Sequence, residues 1–211
     1  MRIDERQLRG VLRVGVIAAV LAAMALVETQ SRSGVLWRLV TFTYQANVLA
    51  AGYYAWTLAS PKADGRVGLR GAVVVYVIVA GVIWNLFLVD LSMGYTAANV
   101  LLHIVVPVLA VADWLLVGHS QSLVRWWQPW AWLSYPAAYL ALALLVLNHG
   151  GRRPPYYFLD VGSIGMAGLL SNVAILGAGL VFLGYLLSGV GRVAGKRGSG
   201  PVTNGAVEVN H

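Results

Sequence analysis

Apolar residues along this chain fall into six blocks, at about 10–27, 35–58, 71–89, 98–117, 129–148 and 163–188. Each is close to the roughly 20 residues that carry an α-helix across about 30 Å of hydrocarbon. Polar punctuation separates them: Ser60-Pro61-Lys62-Ala63-Asp64-Gly65-Arg66 reads as one loop and Gly150-Gly151-Arg152-Arg153-Pro154-Pro155 as another. The pattern predicts an all-α integral membrane protein, a six-transmembrane-helix bundle with short loops, forming one domain over residues 1–190. Past Arg192 the chain turns rich in Gly, Ser and Asn, which predicts a disordered tail over 191–211.

Composition sharpens the membrane reading. Hydrophobic residues make up 59% of the 211 positions and charged residues only 11%, with a mean hydropathy of +0.72. A soluble domain carries about 25% charge, so this chain lacks the polar residues to cover a globular surface. The absence of cysteine excludes disulfides, thiolate catalysis and Cys-ligated metals. A net charge of +7 would point to nucleic acid in a soluble protein. Here the cations sit in tails and loops, so membrane lipids are the expected partner and nucleic acid is not.

The distribution of those cations predicts an orientation. With the N-terminus inside, eleven of the fifteen Lys and Arg residues face the cytoplasm, among them Arg2, Arg6, Arg9 and Arg13. Arg32, Arg38, Arg152 and Arg153 remain outside. The positive-inside rule then makes both termini cytoplasmic in a multi-pass cell-membrane protein. The basic start and Ala22-Ala23-Met24-Ala25 have some look of a cleaved signal peptide. Apolar character runs on through Leu26 and Val27, and losing the block would spoil the charge pattern. The first block is expected to stay as an anchor.

Polar groups inside hydrocarbon are costly and are the first place to look for function. The second block holds Thr41-Phe42-Thr43-Tyr44-Gln45-Ala46-Asn47, the third Trp84-Asn85, and the fourth His103 and Asp113. Asn148 closes the fifth and Ser171-Asn172 lies within the sixth. Thr41 sits roughly 9 Å into its helix and His103 roughly 8 Å, entering from the same side. Asn85 is near that level too, so four helices bring polar side chains together just beneath the outer surface.

A structural reading stands beside each. Threonine in a membrane helix commonly bonds the carbonyl one turn back, and Asn or Gln commonly joins helices. His103 differs as the single histidine inside a block; His119, His149 and His211 lie at block ends or in the tail. A hydroxyl becomes a nucleophile when a nearby base takes its proton, and neutral imidazole suits that near pH 7. A threonine with His103 supplies the minimum pair for attack on an ester, with Asn85, Tyr44 or Asn47 as donors to the oxyanion. Asp113 lies roughly 15 Å further along the same helix, too far to orient His103 as in a triad. One intramembrane histidine also leaves no bis-histidine haem and no expected metal or cofactor.

At these residues the sequence resembles the androgen-induced-gene and androgen-dependent-regulator membrane proteins and their bacterial relatives. Trp37-Arg38-Leu39-Val40-Thr41-Phe42 is similar to that family's Trp-Lys-Tyr-Leu-Thr-Phe. His103-Ile104-Val105-Val106-Pro107, with Asp113 ten residues after the histidine, is similar to its fourth span. Phe42-Thr43-Tyr44-Gln45-Ala46-Asn47 and Tyr156-Tyr157-Phe158-Leu159-Asp160-Val161 look like the bacterial branch. The resemblance implies a membrane hydrolase of fatty acid esters of hydroxy fatty acids that works through a threonine and a histidine. The histidine-to-proline spacing is one residue shorter here than in the animal members. Two threonines compete as well, and residues two apart on a helix point about 200° apart, so only one can face His103. The Trp spacing favours Thr41 and the bacterial pattern favours Thr43; Thr41 is taken first.

The expected enzyme is thus a lipid-facing ester hydrolase. Arg38, Arg152 or Arg153 would hold a substrate carboxylate by charge-assisted hydrogen bonds. The alternative is a small transporter or a structural or regulatory membrane protein, which would employ Asp113 and a helix break at Pro107.

Overall fold

A computed structural model describes residues 4–30, 38–117, 123–147 and 154–198. The described residues are helices and short turns. We number the helices α1 (Glu5–Gln30) and α2 (Phe42–Ala59). Helix α3 runs over Val67–Ile83 and continues as a π-helical turn, Trp84–Leu88, and a 3-10 turn, Val89–Leu91. Helix α4 comprises Ala97–Val100, a π-helical turn Leu101–Val105, and Val106–Leu116. Helix α5 joins Ser134–Ala141 to π-helical Leu142–Leu147, and α6 is Val161–Gly198. The last helix bends at Gly165, whose φ of 70° suits a residue without Cβ.

Four stretches are long and apolar enough to cross a membrane: Glu5–Thr29, Val67–Leu91, Ala97–Leu116 and Val161–Val193. The protein is therefore embedded in a membrane by several helices. The other two apolar blocks also become helices, α2 and α5, but of a different kind. Thr43, Gln45, Asn47 and Thr57 dilute the apolar character of α2. The described part of α5 spans about 21 Å, short of the roughly 30 Å of hydrocarbon. Helix α6 continues past position 190 as far as Gly198, and 199–211 lies outside the described residues, as do Asn148, Arg152 and Arg153.

The surface is what a lipid solvent demands. Leu21, Val48, Leu86, Phe87, Val108, Leu170, Ile175, Phe182 and Leu186 are all exposed. Small side chains line the inner faces, with Ala19 and Ala23 on α1, Ala46 and Ala50 on α2, Ala80 on α3 and Ala110 on α4 all buried. Without a hydrophobic drive between helices in lipid, such residues let backbones approach closely and gain dispersion contacts. Helix α3 sits centrally, packed on α2, α4 and α6, while α1 lies against α2 and α4. Helix α5 attaches by aromatic contacts, Tyr135 and Tyr139 against Phe42 and Tyr135 against Tyr76.

One charged cluster ties the bundle together at the end opposite the start of α2. Asp113 is wholly buried on α4. Its Oδ1 accepts from Arg13 Nε at 3.1 Å, and its Oδ2 accepts from Arg70 Nε at 3.0 Å and Nη2 at 2.7 Å. Arg13 on α1 reaches on to Asp64 in the Pro61–Asp64 turn, where Arg9 also binds at 2.7 Å. A carboxylate in hydrocarbon is tolerable only when both oxygens are matched by donors, and here they are. Asp113 is thus a structural joint among three helices.

Asp113→Ala leaves two guanidinium groups buried without their shared partner. We expect a loss of about 3–5 kcal/mol, read as unfolding in detergent, with the largest part recovered when Arg13 and Arg70 are replaced together by apolar residues.

Candidate functional site

At the other end of the bundle the chain reverses between α3 and α4 through Met93 and Gly94, both with positive φ. Thr96 caps the new helix by accepting the Asn99 N–H at 3.3 Å. The Asn99 amide donates to the carbonyls of Ser92 and Gly94, both at 2.8 Å, fastening the reversal to the helix. The Asn99 carbonyl in turn receives His103 Nδ1 at 2.9 Å. A carbonyl only accepts, so this contact places the proton on Nδ1 and leaves the Nε2 lone pair of a neutral ring exposed toward α2.

That lone pair meets Thr43 Oγ1 at 3.4 Å. Thr43 is only 8% exposed and His103 only 7%. The indole of Trp84 stacks on the imidazole, centroids 4.5 Å apart and planes 14° from parallel, and is itself held by Nε1–H donation to Ser92 Oγ at 2.6 Å. His103 lies in the π-helical turn Leu101–Val105, where the Val106 N–H reaches the Leu101 carbonyl. Four residues on, Pro107 has no N–H to offer the His103 carbonyl, which accounts for the widened turn. Gly81 of α3 lies directly opposite: a Cβ there would stand 2.5 Å from that carbonyl oxygen. Only glycine permits this approach.

Thr41, taken first on sequence, does not make this contact. It is the N-cap of α2, its Oγ1 accepting from Tyr44 N–H at 3.5 Å and donating to the Arg38 carbonyl at 2.9 Å. The hydroxyl that faces His103 belongs to Thr43, in the first helical turn, because the two side chains point about 200° apart. Asn47 is buried one turn below and donates to the Thr43 carbonyl at 2.9 Å.

The other expected binding groups are differently employed. Asn85 donates its amide back to the Gly81 carbonyl at 2.8 Å and accepts from Tyr95 at 3.3 Å, so it is not directed at the Thr43 hydroxyl. Arg38 is paired with Glu28 of α1. It lines a cavity of about 300 Å³ with Met24, Ala25, Leu39 and Tyr44, which is separate from the chamber beside Thr43. Tyr44 lines that cavity and is not among the walls of the chamber beside Thr43.

A chamber of about 370 Å³ opens at Thr43 between the start of α2 and helices α3, α5 and α6. Val79, Ile83, Leu140, Val173, Gly177 and Leu180 are among its walls, so it is apolar along its length. Its polar groups gather at the Thr43 end, where Tyr139 and Tyr156 also line it. Tyr156 comes from the segment before α6. That segment is anchored by Asp160, whose carboxylate accepts from Gly162 N–H at 3.1 Å and Ser163 Oγ at 2.7 Å, and by Asn172, which donates to the Phe158 carbonyl at 3.0 Å. The Tyr156 hydroxyl accepts the Thr43 N–H at 3.4 Å. Burial raises its pKa above the usual tyrosine value, so at neutral pH it keeps its proton and can donate it.

Reading the sequence did not single out Asn99, Tyr139 or Tyr156 as site residues, nor Trp84 as a wall of the imidazole. Asn99 was findable in principle, one helical turn before His103 and three residues after a capping threonine. Tyr139 was not, and Tyr156 was marked only as the start of the 156–161 stretch without a role, because only packing brings α5 and the 156–160 segment to α2. Comparison of the chain with protein-family models, with characterised proteins and with solved structures finds no match.

Two measurements test this geometry. Thr41→Ala removes a helix cap and should cost about 1 kcal/mol of stability, whereas Thr43→Ala should cost little. The nitrogen chemical shifts of histidine-labelled protein should assign His103 to the Nδ1–H tautomer at neutral pH.

Proposed function

We propose that this protein is an intramembrane hydrolase of lipid esters, such as fatty acid esters of hydroxy fatty acids, with Thr43 as nucleophile and His103 as base. The observation that carries the proposal is a single one: an imidazole whose Nδ1–H is committed to a carbonyl presents Nε2 to a buried threonine hydroxyl at the mouth of an apolar chamber. A contact of 3.4 Å is typical of a catalytic pair before substrate tightens it. The Asn99 carbonyl fills the orienting role that a carboxylate has in a triad.

In this reading the acyl chain lies in the chamber and the ester carbonyl stops beside Thr43. Thr43 Oγ1 bonds to the carbonyl carbon while its proton passes to His103 Nε2. Collapse of the tetrahedral intermediate returns that proton to the departing alkoxide and leaves an acyl group on Thr43. Water, giving a proton to the same nitrogen, then bonds to the acyl carbon; the bond to Thr43 Oγ1 breaks, the proton returns to Oγ1 and the acid leaves. A lipid enters from the bilayer, so no aqueous channel is needed. The arginines to hold a free carboxylate would be Arg152 and Arg153, since Arg38 already has Glu28. The orientation drawn from the basic residues, with six spans and both termini cytoplasmic, puts this site in the outer leaflet. The transporter alternative gains nothing from Asp113, whose two oxygens are both bound to arginine.

Thr43→Ala and His103→Ala should each lower ester turnover by at least about 10³-fold, and the double variant should be no worse, as for groups that act as one unit. Thr41→Ala should keep most of the activity. A lipophilic fluorophosphonate should label Thr43 and fail to label the His103→Ala protein. Wild-type protein inactive across esters of varied chain length, or undiminished turnover without His103, would end the hydrolase reading. Topology is checked separately: a reporter fused to the C-terminal tail should behave as cytoplasmic.

A further inference from the structure

Tyr139 presents a conspicuous physical anomaly. It is 6% exposed on α5, and its hydroxyl meets no partner at full hydrogen-bonding geometry. Burying a hydroxyl without a well-formed partner is unfavourable, and phenylalanine would fill the same space without that cost. The ring is well placed by its neighbours, with Phe42 edge-on at 5.4 Å and Tyr156 at 6.3 Å. The Phe42 backbone amide and the Tyr156 hydroxyl are its polar neighbours, close enough to interact with it but outside full hydrogen-bonding geometry. Phe42 opens α2, and the first amides of a helix have no carbonyl of their own helix to bind. These donors gather at the polar end of the chamber, beside the Thr43 hydroxyl.

We propose that Tyr139 is a catalytic residue that donates to the ester carbonyl oxygen, forming an oxyanion hole with Tyr156 at the start of α2. The inference rests on the hydrolase reading above. When Thr43 Oγ1 bonds to the carbonyl carbon, the carbonyl π pair becomes a lone pair on oxygen, and the negative charge appears there. The Tyr139 O–H then has its missing acceptor. Tyr156 accepts the Thr43 N–H on its oxygen, which leaves its own proton for the same oxyanion. The positive end of the α2 dipole adds to both. Donors preorganised in an apolar chamber need no reorganisation as the charge develops, which is where such groups act most strongly. Both phenols stay protonated and return unchanged when the intermediate collapses.

The test uses full-length protein in detergent micelles with p-nitrophenyl octanoate. Tyr139→Phe keeps the ring and removes only the hydroxyl. We expect kcat to fall by about 10²–10³-fold with KM almost unchanged, and the thermal midpoint to stay level or rise. An alkyl boronic acid, which becomes a tetrahedral anion on Thr43, should bind more weakly in step with kcat, while the unreactive ether of the same length should bind as before. Adding Tyr156→Phe should lower kcat further. Unchanged kcat in Tyr139→Phe, with Thr43→Ala inactive, overturns the role of Tyr139 and leaves the hydrolase reading standing. A rise in KM alone overturns it too, since the hydroxyl would then act equally on ground and transition states. So does a Tyr139→Phe protein that fails to fold, which would make the hydroxyl a structural bond. If the wild-type protein has neither turnover nor a covalent adduct at Thr43, the hydrolase reading and this inference fall together.

Discussion

A carboxylate in hydrocarbon can survive only inside a cage of donors, and the cage around Asp113 organises this protein. Arg13 from α1 and Arg70 from α3 converge on it from either side, so three helices share one joint. Asp64 and Arg9 extend the joint to the turn that precedes α3. Because lipid provides little drive for helices to associate, a fixed ionic joint of this kind determines which faces of α1, α3 and α4 turn inward. With that end held, Gly81 and the His103 carbonyl can close to a distance at which no side chain would fit. The imidazole then inherits its position from the packing and from Asn99.

The two threonines divide their work according to place in the helix. Thr41 ends the approach to α2 and satisfies its first amides, as a cap does. Thr43 stands one step inside, where the helix turns its side chain to the core and to Nε2. In the proposed hydrolase, chemistry and scaffolding thus come from the same residue type two positions apart. The apolar chamber next to Thr43 and the polar groups crowded at its end fit a ligand with a long chain and one polar junction.

Much of this was legible in the sequence because it depends on local pattern. Apolar blocks of spanning length determine that the chain is a helical membrane protein, and the six blocks do appear as helices. His103 stood out because an imidazole amid apolar residues needs a partner, and the pattern around 41–47 marked the stretch that supplies it. That only one of Thr41 and Thr43 can meet His103 follows from helical geometry alone.

Tertiary structure alone decided the rest. Which threonine faces inward depends on where α2 begins, and that start is set by the cap, within a residue or two of what pattern can resolve. The partners of Asp113 lie 100 and 43 positions away in sequence, and no periodicity connects them. Asn85 and Arg38 carried donors suited to a substrate, yet folding gave each a closer acceptor, Gly81 and Glu28. Tyr139 has nothing in its local sequence to mark it, and Tyr156 stood out only as part of a family-like stretch, because only the packing of distant segments brings the two phenols to the start of α2. Local pattern encodes which segments become apolar helices; the pairing of polar groups among them is a property of the packed bundle.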